Sequence, residues 1–193
     1  MSTERQCTCR RCGKQYMAPV KSRHRLLCGD SRKADDMARL ADGRQADMVW
    51  TDPPYGVGIA SRVGTTSGMS SAQARVEGHP GIANDDLNVP QLVAFLRGAF
   101  ETALDACRPG AVWYVAAPHG PMGVAFSIVL HDLGIWHSSL VWVKDSMVIS
   151  RLDYHYRHEV LYYGWKPGGA HHAVPDRCQT SVFEFPRPKR SEE

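Results

Sequence analysis

An acidic residue, two prolines and a tyrosine stand together at residues 52–55, directly after the apolar run Met48-Val49-Trp50. Proline has no backbone N–H to donate and holds φ at about −65°, so an extended segment over 46–51 must end at Asp52. A carboxylate, rigid carbonyl groups and an aromatic ring then lie together at the carboxyl end of a strand. Ligands bind at that edge of open α/β sheets. The alternative is an ordinary turn stiffened by proline, in which the acid makes a local hydrogen bond.

The segments that precede this turn predict parallel α/β structure. The apolar run over 48–50 is bounded by turn residues, which predicts a buried strand over 46–51. Residues 24–31 predict a shorter strand that ends in Gly-Asp. Between the two, residues 35–40 predict a short helix, because Asp35 and Asp36 occupy its first turn, where the helix dipole favours acids. A strand–helix–strand unit of this size is typical of a parallel sheet.

The second half of the chain continues the alternation. An apolar stripe at helical spacing predicts a helix over 88–107, with Asn88 as its N-cap, Pro90 in its first turn and Pro109-Gly110 closing it. Further elements are predicted as a strand over 111–117, a helix over 121–132, a strand over 136–143 and a strand over 159–163. Trp136 and Trp142 are interpreted as core residues. We therefore expect the α/β class, with a doubly wound sheet.

Composition is ordinary for a globular protein that folds as one domain. The chain has 193 residues, of which 43% are hydrophobic and 22% charged, and its net charge of +3 permits a polyanionic partner. No apolar run approaches the ~18 residues of a membrane span, and no signal-peptide pattern opens the sequence. Six cysteines without a secretory leader favour the reducing cytosol over a disulfide framework. We expect a cytoplasmic protein without a membrane partner.

The first 23 residues are basic and contain Cys7, Cys9 and Cys12, the last two spaced Cys-x-x-Cys before a glycine. This spacing suits one side of a tetrahedral zinc site, which needs four ligands. No second Cys-x-x-Cys follows, and only Cys7, His24 and Cys28 stand near enough to complete the site. The favoured interpretation is a solvated basic arm with no bound metal, and contact with a phosphate backbone is the other possibility.

A dense mixture of cations and aromatic residues begins after the strand over 136–143. Such mixtures suit contact with phosphates combined with stacking on bases. Composition alone favours a polar loop that leads into the strand over 159–163. The candidates for nucleic-acid contact are Lys144, Arg151, Tyr154, His155, Tyr156 and Arg157.

Three segments resemble the amino-directed DNA methyltransferases, which methylate adenine N6 or cytosine N4. "TDPPYG" at 51–56 is similar to the family's catalytic motif, and "HRLLCGD" at 24–30 to the start of many phage and bacterial members. The arrangement Trp-x-Lys…Tyr-x4-Glu…Tyr-Gly over 142–164 resembles the segment that lines the target-base pocket. The order of elements matches the permuted class of the family, in which the catalytic half comes first. The resemblance covers residues 24–188, between the arm over 1–23 and a tail over 189–193.

The resemblance implies a site-specific transfer of a methyl group from S-adenosyl-L-methionine to the exocyclic amine of a base taken out of duplex DNA. Asp52 and the Pro53 carbonyl would hold the amine, with Pro54 stiffening the turn and Tyr55 stacking on the base. Asp30 and Asp52 would contact the cofactor. Within the family an acid at the first motif position is commoner for adenine, so adenine N6 is the expected target. For Asp30 the alternative is a turn or a helix cap.

The sequence departs from the family after the catalytic half. The Lys-Pro helix and the Phe-x-Gly-x-Gly turn that bind the cofactor in the permuted class do not occur in it. We therefore expect an incomplete sheet with an exposed strand edge, and possible complementation by a chain that carries the cofactor-binding half. The alternatives are methylation of cytosine N4, methylation of RNA or a protein glutamine, and a non-catalytic DNA-binding remnant.

Overall fold

The computed structural model describes residues 4–8, 13, 15–19, 24–56, 84, 86–148 and 153–185. Seven strands and three helices occur in this part of the chain. In chain order they are β1 Glu4–Thr8, β2 Gln15–Pro19, α1 Ala34–Ala41, β3 Ala46–Thr51, α2 Val89–Asp105, β4 Cys107–Ala117, α3 Gly123–Asp132, β5 Trp136–Val148, β6 Tyr156–Trp165 and β7 Val182–Glu184.

Five of the described strands form one open sheet in the order β3-β4-β6-β5-β7, and β1 pairs with β2 in a separate antiparallel ribbon. β3 runs parallel to β4, and β7 runs parallel to β5. β6 lies between β4 and β5 and is antiparallel to both. The carboxyl ends of β3, β4, β5 and β7 therefore share one edge of the sheet with the amino end of β6.

The hydrophobic core lies between the sheet and the helices α2 and α3. Leu92 and Phe100 of α2, Phe126 of α3 and Trp113 of β4 belong to one buried cluster. The Trp113 ring meets the Phe100 ring edge to face at 5.6 Å. Alternation along β4 directs Trp113 and its neighbours two residues away toward the helices, so this face holds the tightly packed side of the fold.

The opposite face of the sheet carries an apolar groove of about 410 Å³. Trp50 and Phe185, which both contribute to it, are each 62% exposed. None of the residues that line the groove belongs to a helix; they are Trp50, Tyr114, Leu140, Trp142, Leu161, Phe183 and Phe185. This aromatic face is thus open in the described part of the chain.

Several predicted elements are confirmed. β3 has the predicted bounds of 46–51, and α1 contains the predicted helix with Asp35 and Asp36 in its first turn. Asn88 caps α2 by accepting from the backbone of Gln91, whose side chain accepts in return from the Asn88 backbone. This reciprocal pair is a capping box, which gives partners to two backbone N–H donors that have none within the helix. α3 lies within the predicted range of 121–132.

The strand predicted over 24–31 is wrong, because residues 24–30 form no strand and residues 31 and 32 lie in a turn. The backbone N–H of Lys33 donates to the Asp30 carbonyl at 2.9 Å, which closes that turn. The Arg25 guanidinium pairs with Asp42 and donates to the Arg39 carbonyl at 2.8 Å. Contacts with α1 therefore hold this segment in place of a sheet ladder.

The prediction that Pro109-Gly110 closes α2 is also wrong. The helix ends at Asp105, and β4 already begins at Cys107. Gly110 has φ of +77° and lies so close to the Ala170 carbonyl that a Cβ atom would collide with it. Glycine is therefore required here to let a later segment cross the strand, and it does not mark a helix end.

Burial differs from the prediction in β3 and β5, and length differs in β5 and β6. β3 is an edge strand of the described sheet, and its Met48 and Trp50 are 56% and 62% exposed. Trp136 and Trp142 of β5, interpreted as core, are 39% and 38% exposed. β5 and β6 extend well beyond 136–143 and 159–163, so residues 144–148 and 156–158 form strands where a polar loop was the alternative. The division at residues 23 and 188 stays a prediction.

Candidate active site at the carboxyl edge of the sheet

Gly56 ends the turn that follows β3 and fixes the backbone of that turn. Gly56 has φ of +69°, which residues with a Cβ atom rarely adopt. A Cβ atom there would lie 2.8 Å from the Leu87 carbonyl and 2.7 Å from the Met122 methyl group. Asp52, Pro53, Pro54 and Tyr55 are thus held between the end of β3 and the starts of α2 and α3.

Asp52 and Tyr55 stand on either side of the two prolines and differ in burial. The Asp52 side chain belongs to an exposed residue, whereas Tyr55 is partly buried against the core. The Tyr55 ring meets the Phe126 ring edge to face at 6.0 Å, with an interplanar angle of 82°. Burial raises the pKa of the Tyr55 hydroxyl far above its usual range, and the nearby Asp52 and Glu159 carboxylates raise it further. The hydroxyl therefore remains protonated.

A stacked pair of rings lies at the end of β4. His119 follows this strand in the sequence Pro118-His119-Gly120, and its ring stacks on Tyr156 at 4.0 Å with an interplanar angle of 11°. The His119 Nε2 atom lies 2.7 Å from the His158 carbonyl oxygen, which assigns the proton to that nitrogen. Sequence reasoning missed His119. Its position directly after a parallel strand, next to a glycine, is the signal that could have found it.

Glu159 of β6 contacts both Lys144 and His119. Lys144 of β5 forms an ion pair with one Glu159 carboxylate oxygen, and His119 Nε2 lies 3.6 Å from the other. The Lys144 ammonium also lies 5.8 Å from the centre of the Trp142 ring. The Trp-x-Lys and Glu positions of the resemblance therefore meet on neighbouring strands, with Glu159 also acting on Tyr55 through its charge.

The strand directions explain why these residues share one edge. Asp52 and His119 follow the carboxyl ends of β3 and β4, and Lys144 lies in the carboxyl-terminal part of β5. Because β6 runs the opposite way, its first residues, Tyr156 and Glu159, reach the same edge. The sheet thus gathers two carboxylates, one ammonium group, an imidazole and two tyrosines from segments about a hundred residues apart. Such a set can hold a polar group by hydrogen bonds and take up a proton.

The candidate nucleic-acid residues differ in exposure and in the contacts they make. Tyr154 is 85% exposed and His155 is exposed, and both lie just before β6. Arg157 is exposed and donates from Nε to the Lys144 carbonyl at 2.9 Å, whereas the Lys144 ammonium is taken up by Glu159. Arg151 lies outside the described residues. The contact of this group with nucleic acid stays a prediction.

The Asp30 carboxylate accepts hydrogen bonds from Arg32 within its own turn. Arg32 donates to both Asp30 carboxylate oxygens, from Nε at 3.0 Å and from the terminal nitrogen at 2.9 Å, and its backbone N–H donates at 3.0 Å. These hydrogen bonds lower the pKa of Asp30 well below its usual range. The Arg32 guanidinium in turn lies 5.0 Å from the centre of the Phe95 ring of α2. This is the turn geometry that the sequence left open as the alternative, and cofactor contact by Asp30 stays a prediction.

Cys9 and Cys12, which the sequence offers as one side of a zinc site, lie outside the described residues. The described part of the chain holds no group of three His, Cys, Asp or Glu side chains that could bind a metal ion. A helix long and apolar enough to cross a lipid bilayer does not occur among the described helices.

The sequence matches no protein-family model and no curated protein. Solved structures do resemble it. The cytosine-N4-specific PvuII DNA methyltransferase superposes with a TM-score of 0.52 at 11% identity over 88% of this chain and 60% of its own. M1.HpyAVI gives 0.46 at 14% identity over 83% and 66%. A protein of Thermus thermophilus, provisionally assigned as a DNA modification methylase, gives 0.46 at 15% identity over 86% and 68%, and has also been solved with S-adenosyl-L-methionine.

The similarity to the PvuII enzyme confirms the predicted fold class, an α/β protein with an open Rossmann-like sheet. The identities are low, so the likeness concerns the fold, and function has to be argued from the site. The chain spans 60% of the length of the PvuII enzyme and 66% to 68% of the other two structures.

Proposed function

We propose that this chain is the catalytic part of a site-specific DNA methyltransferase that modifies the exocyclic amine of a flipped base, with adenine N6 as the target. One observation carries the proposal. The Asp52-Pro53-Pro54-Tyr55 turn lies at the carboxyl end of a parallel strand and presents an exposed carboxylate there. This is the edge at which open α/β sheets bind ligands.

The chemistry of an aromatic amine explains why these residue types would act together. The lone pair of an exocyclic amine is delocalised into the ring, which makes the nitrogen a poor nucleophile. A carboxylate oxygen of Asp52 and the Pro53 carbonyl would accept one N–H each and favour localisation of the lone pair on nitrogen. The prolines leave the turn few torsions to vary, so the two acceptors are held in place before the base arrives.

The residues of this turn fit a cationic methyl donor at Asp52, whose carboxylate is exposed and complements a positive charge. When bound, S-adenosyl-L-methionine supplies a methyl group on a sulfonium sulfur, which keeps the electron pair of the broken S–C bond as the base nitrogen forms the new N–C bond. Asp52 would then take the proton that the methylated nitrogen releases and pass it to water. Asp30 fits less well as it stands, because Arg32 occupies both of its oxygens. Cofactor contact by Asp30 would require Arg32 to move away.

DNA as the substrate is supported by the start of β6. Tyr154 presents a largely exposed ring and Arg157 an exposed guanidinium on the same side of the molecule as the catalytic turn. Exposed aromatic rings stack on bases, and guanidinium groups contact phosphates. Arg151, His155 and Tyr156 complete the proposed contact group, with Lys144 supporting it through Glu159.

A complementing polypeptide that carries the cofactor-binding half is proposed as a partner, whether continuous with this chain or separate. Sheets of α/β proteins that contain parallel pairs such as β3-β4 are normally covered on both faces, whereas the aromatic face that contains Trp50 and Phe185 is open among the described residues. β3 pairs on one side with β4, and its other side is an edge of the described sheet. An open face beside an open edge is the surface that further strands and helices would cover.

The proposal is tested by transfer of labelled methyl groups from S-adenosyl-L-methionine to duplex DNA of mixed sequence. The assay uses the chain alone and the chain mixed with a polypeptide that contains a Phe-x-Gly-x-Gly turn. Asp52→Ala should reduce transfer by at least about a hundredfold, since it removes the group that holds the amine. Asp47→Ala is the matched control, because Asp47 is an exposed acid at the other end of β3 that pairs only with Arg108 among the described residues. Full transfer by Asp52→Ala would contradict the mechanism.

Cytosine N4 is the second candidate target, because the PvuII enzyme, which this chain resembles in fold, is cytosine-N4-specific. Hydrolysis of the methylated DNA to nucleosides and mass spectrometry distinguish the two products. N6-methyladenine is the expected product, and N4-methylcytosine would reassign the target while leaving the role of the turn unchanged. Absence of transfer in every mixture, together with binding of DNA, would favour a non-catalytic DNA-binding protein.

A further inference from the structure

We propose that His119 is a positioning residue of the DNA contact: it joins the start of β6, beside the DNA-contacting side chains, to the carboxyl end of β4. The inference rests on the proposed function, because it takes the start of β6 as the surface that meets DNA. The contact itself lies inside the protein, so it can also be measured without DNA and without methyl transfer.

The regular pairing of β4 with β6 stops before the edge of the sheet. It runs from Val112 opposite Trp165 to Ala117 opposite Val160. Pro118 follows β4, and proline has no N–H with which to continue a ladder. The first residues of β6 therefore extend past the end of β4, where other contacts must hold them.

His119 makes several of these contacts with one side chain. The register, if continued, would place it opposite His158, and its Nε2 atom donates to the His158 carbonyl at 2.7 Å. Its ring stacks on Tyr156 at 4.0 Å with an interplanar angle of 11°, and Nε2 lies 3.6 Å from the Glu159 carboxylate. Because Tyr156 and Glu159 project from opposite faces of β6, a ring beyond the end of the ladder can reach both.

A side chain also holds the other side of β6. The pairing with β5 shifts between Val143 and Val148, and in this interval Arg157 donates from Nε to the Lys144 carbonyl at 2.9 Å. Arg157 is exposed, whereas the His119 side chain keeps only 14% of its surface exposed. A hydrogen bond shielded from water is stronger than an exposed one. His119 therefore makes the firmer of these two attachments.

The attached segment carries the proposed DNA contacts. Tyr154 lies two residues before Tyr156, and Arg157 lies directly after it; both contacts are exposed. Attachment of this segment to β4 fixes its distance from Asp52, which follows the neighbouring strand β3. A contact surface that is ordered before DNA arrives loses less conformational entropy on binding. Loss of the attachment should therefore weaken the binding of DNA.

Three variants of His119 separate its hydrogen bond from its stacking. His119→Phe keeps a ring for Tyr156 and loses the donor, His119→Gln keeps a donor and loses the ring, and His119→Ala loses both. Fluorescence anisotropy with labelled duplex DNA, at one fixed salt concentration, measures affinity. We expect the first two variants to bind about threefold to tenfold more weakly than the wild type, since a hydrogen bond and an aromatic pair contribute similar amounts. His119→Ala should bind more weakly than either.

Steady-state kinetics distinguish positioning from a general loss of structure. In the mixture that transfers methyl groups, KM for DNA should rise by the same factors, and KM for S-adenosyl-L-methionine should stay as in the wild type. An equal rise in both KM values would overturn the inference.

His137→Phe is the matched control, because His137 makes the same two kinds of contact at the other end of the sheet. Its ring stacks on Trp165 at 3.5 Å, and its Nδ1 atom lies 2.8 Å from the Ile135 carbonyl oxygen. Trp165 is the last residue of β6, whereas Tyr156 is the first. The control also loses a donor and keeps a ring, so its affinity for DNA should equal that of the wild type. A loss as large as that of His119→Phe would contradict the positioning role.

Hydrogen exchange of the backbone amides needs neither DNA nor methyl transfer. In the chain alone, residues 156–160 should exchange about threefold to tenfold faster in His119→Phe and His119→Gln, and faster still in His119→Ala. Residues 112–115, in the middle of β4, should exchange as in the wild type. Unchanged exchange at 156–160 in all three variants would show that His119 does not hold this segment.

The outcomes separate the inference from the proposed function. If the wild type binds DNA and transfers methyl groups, and the His119 variants bind DNA equally well, the positioning role is wrong and the methyltransferase proposal stands. If the wild type neither binds DNA nor transfers methyl groups, the proposed function fails, and hydrogen exchange still decides whether His119 joins β6 to β4. Loss of folding in His119→Ala would show in circular dichroism, and the other two variants would then carry the test.

Discussion

The two faces of the five-stranded sheet are built from similar residues and have opposite surroundings. On one face Trp113 and Phe126 are fully buried between β4 and the helices α2 and α3. On the other face Trp50, Trp142 and Phe185 line an open groove, and two of the three keep 62% of their surface exposed. Residue type is thus a poor guide to burial in this sheet, because aromatic residues occupy both faces and helices cover only one in the described part of the chain.

This difference teaches where the stability of the fold resides. A buried aromatic ring contributes through the full area it removes from water and through close packing, and an exposed ring contributes little of either. The helix-covered face should therefore carry most of the free energy of folding. The aromatic face instead offers apolar surface for later burial, which suits a region that acquires its cover from elsewhere.

The largest contrast is expected between two phenylalanines, one on each face. Phe126→Ala should lower the free energy of unfolding by about 3–5 kcal/mol, because it empties a fully buried site. Phe185→Ala should cost below about 1 kcal/mol, as expected for an exposed position. Chemical denaturation of both variants measures the difference. Equal losses would mean that the aromatic face is covered in solution, and sedimentation would then show whether a second copy covers it.

A smaller effect is expected at Gly56, and it tests how far the tight packing extends toward the catalytic turn. Gly56→Ala places a Cβ atom against Leu87 and Met122 at positive φ, and should cost about 2–4 kcal/mol. Gly120 also has a positive φ, of +76°, but a Cβ atom there meets no atom within 4 Å, so Gly120→Ala should cost only the backbone strain of about 1–2 kcal/mol. Thermal unfolding of both variants gives the comparison. If the two variants lose the same stability, the turn is not wedged against the helices.

Two consecutive tyrosines of β6 sharpen the comparison further, because alternation sends them to opposite faces. Tyr162 bonds to Ser127 of α3 at 2.6 Å, whereas the Tyr163 ring contacts Tyr114 on the aromatic face at 5.1 Å. Tyr162→Phe should lower the free energy of unfolding by about 0.5–1.5 kcal/mol, the usual net value of one hydrogen bond. Tyr163→Phe should change it by less than about 0.5 kcal/mol. A larger loss from Tyr163→Phe would reverse the assignment of the two faces.

The smallest expected effect concerns acid, and it falls on the helix-covered side. The pKa of Asp30 is lowered by its hydrogen bonds to Arg32, which also lies on Phe95 of α2. A lowered pKa in the folded state stabilises the protein above the usual aspartate value of about 4, and this contribution is lost as pH falls toward the folded value. Arg32→Gln should therefore flatten the dependence of the unfolding free energy on pH below about 4.

The control for the acid experiment is Arg39→Gln, which removes an exposed cation from α1. Its pH dependence should follow that of the wild type. If Arg32→Gln leaves the acid dependence unchanged as well, the Asp30 turn does not contribute through its charge. Because Asp30 lies at the surface, the effect should also shrink in high salt.

Local signals predicted part of this fold well. The acids of α1, the capping box at Asn88 and the proline pair after β3 act within a few residues, so the helix starts and the end of β3 could be read from the sequence. The strand expected over 24–31 and the helix end expected at Pro109-Gly110 failed, since contacts with distant segments decide both. Long-range packing leaves no short-range pattern of residue types.

The candidate site was predicted to a similar degree. Asp52 and Tyr55 stand in a motif, and Lys144 in a segment rich in cations, so the sequence drew attention to all three. The contacts of Glu159 with Lys144 and His119 depend on β6 lying antiparallel between β4 and β5. That reversal is a property of the sheet as a whole. His119 consequently entered the site only through the structure.

The strand geometry of β6 also predicts where single-residue insertions and deletions would disturb the protein. Side chains alternate along a strand, so Glu159 shares a face with Leu161, and Tyr156 and His158 lie on the other. Removal or insertion of a single codon inside residues 156–160 would exchange these two sets and withdraw Glu159 from Lys144. A codon gained or lost at 153–155, before the strand begins, would leave that alternation intact. Length variation should therefore preserve the sheet contacts on one side of Tyr156 and disrupt them on the other.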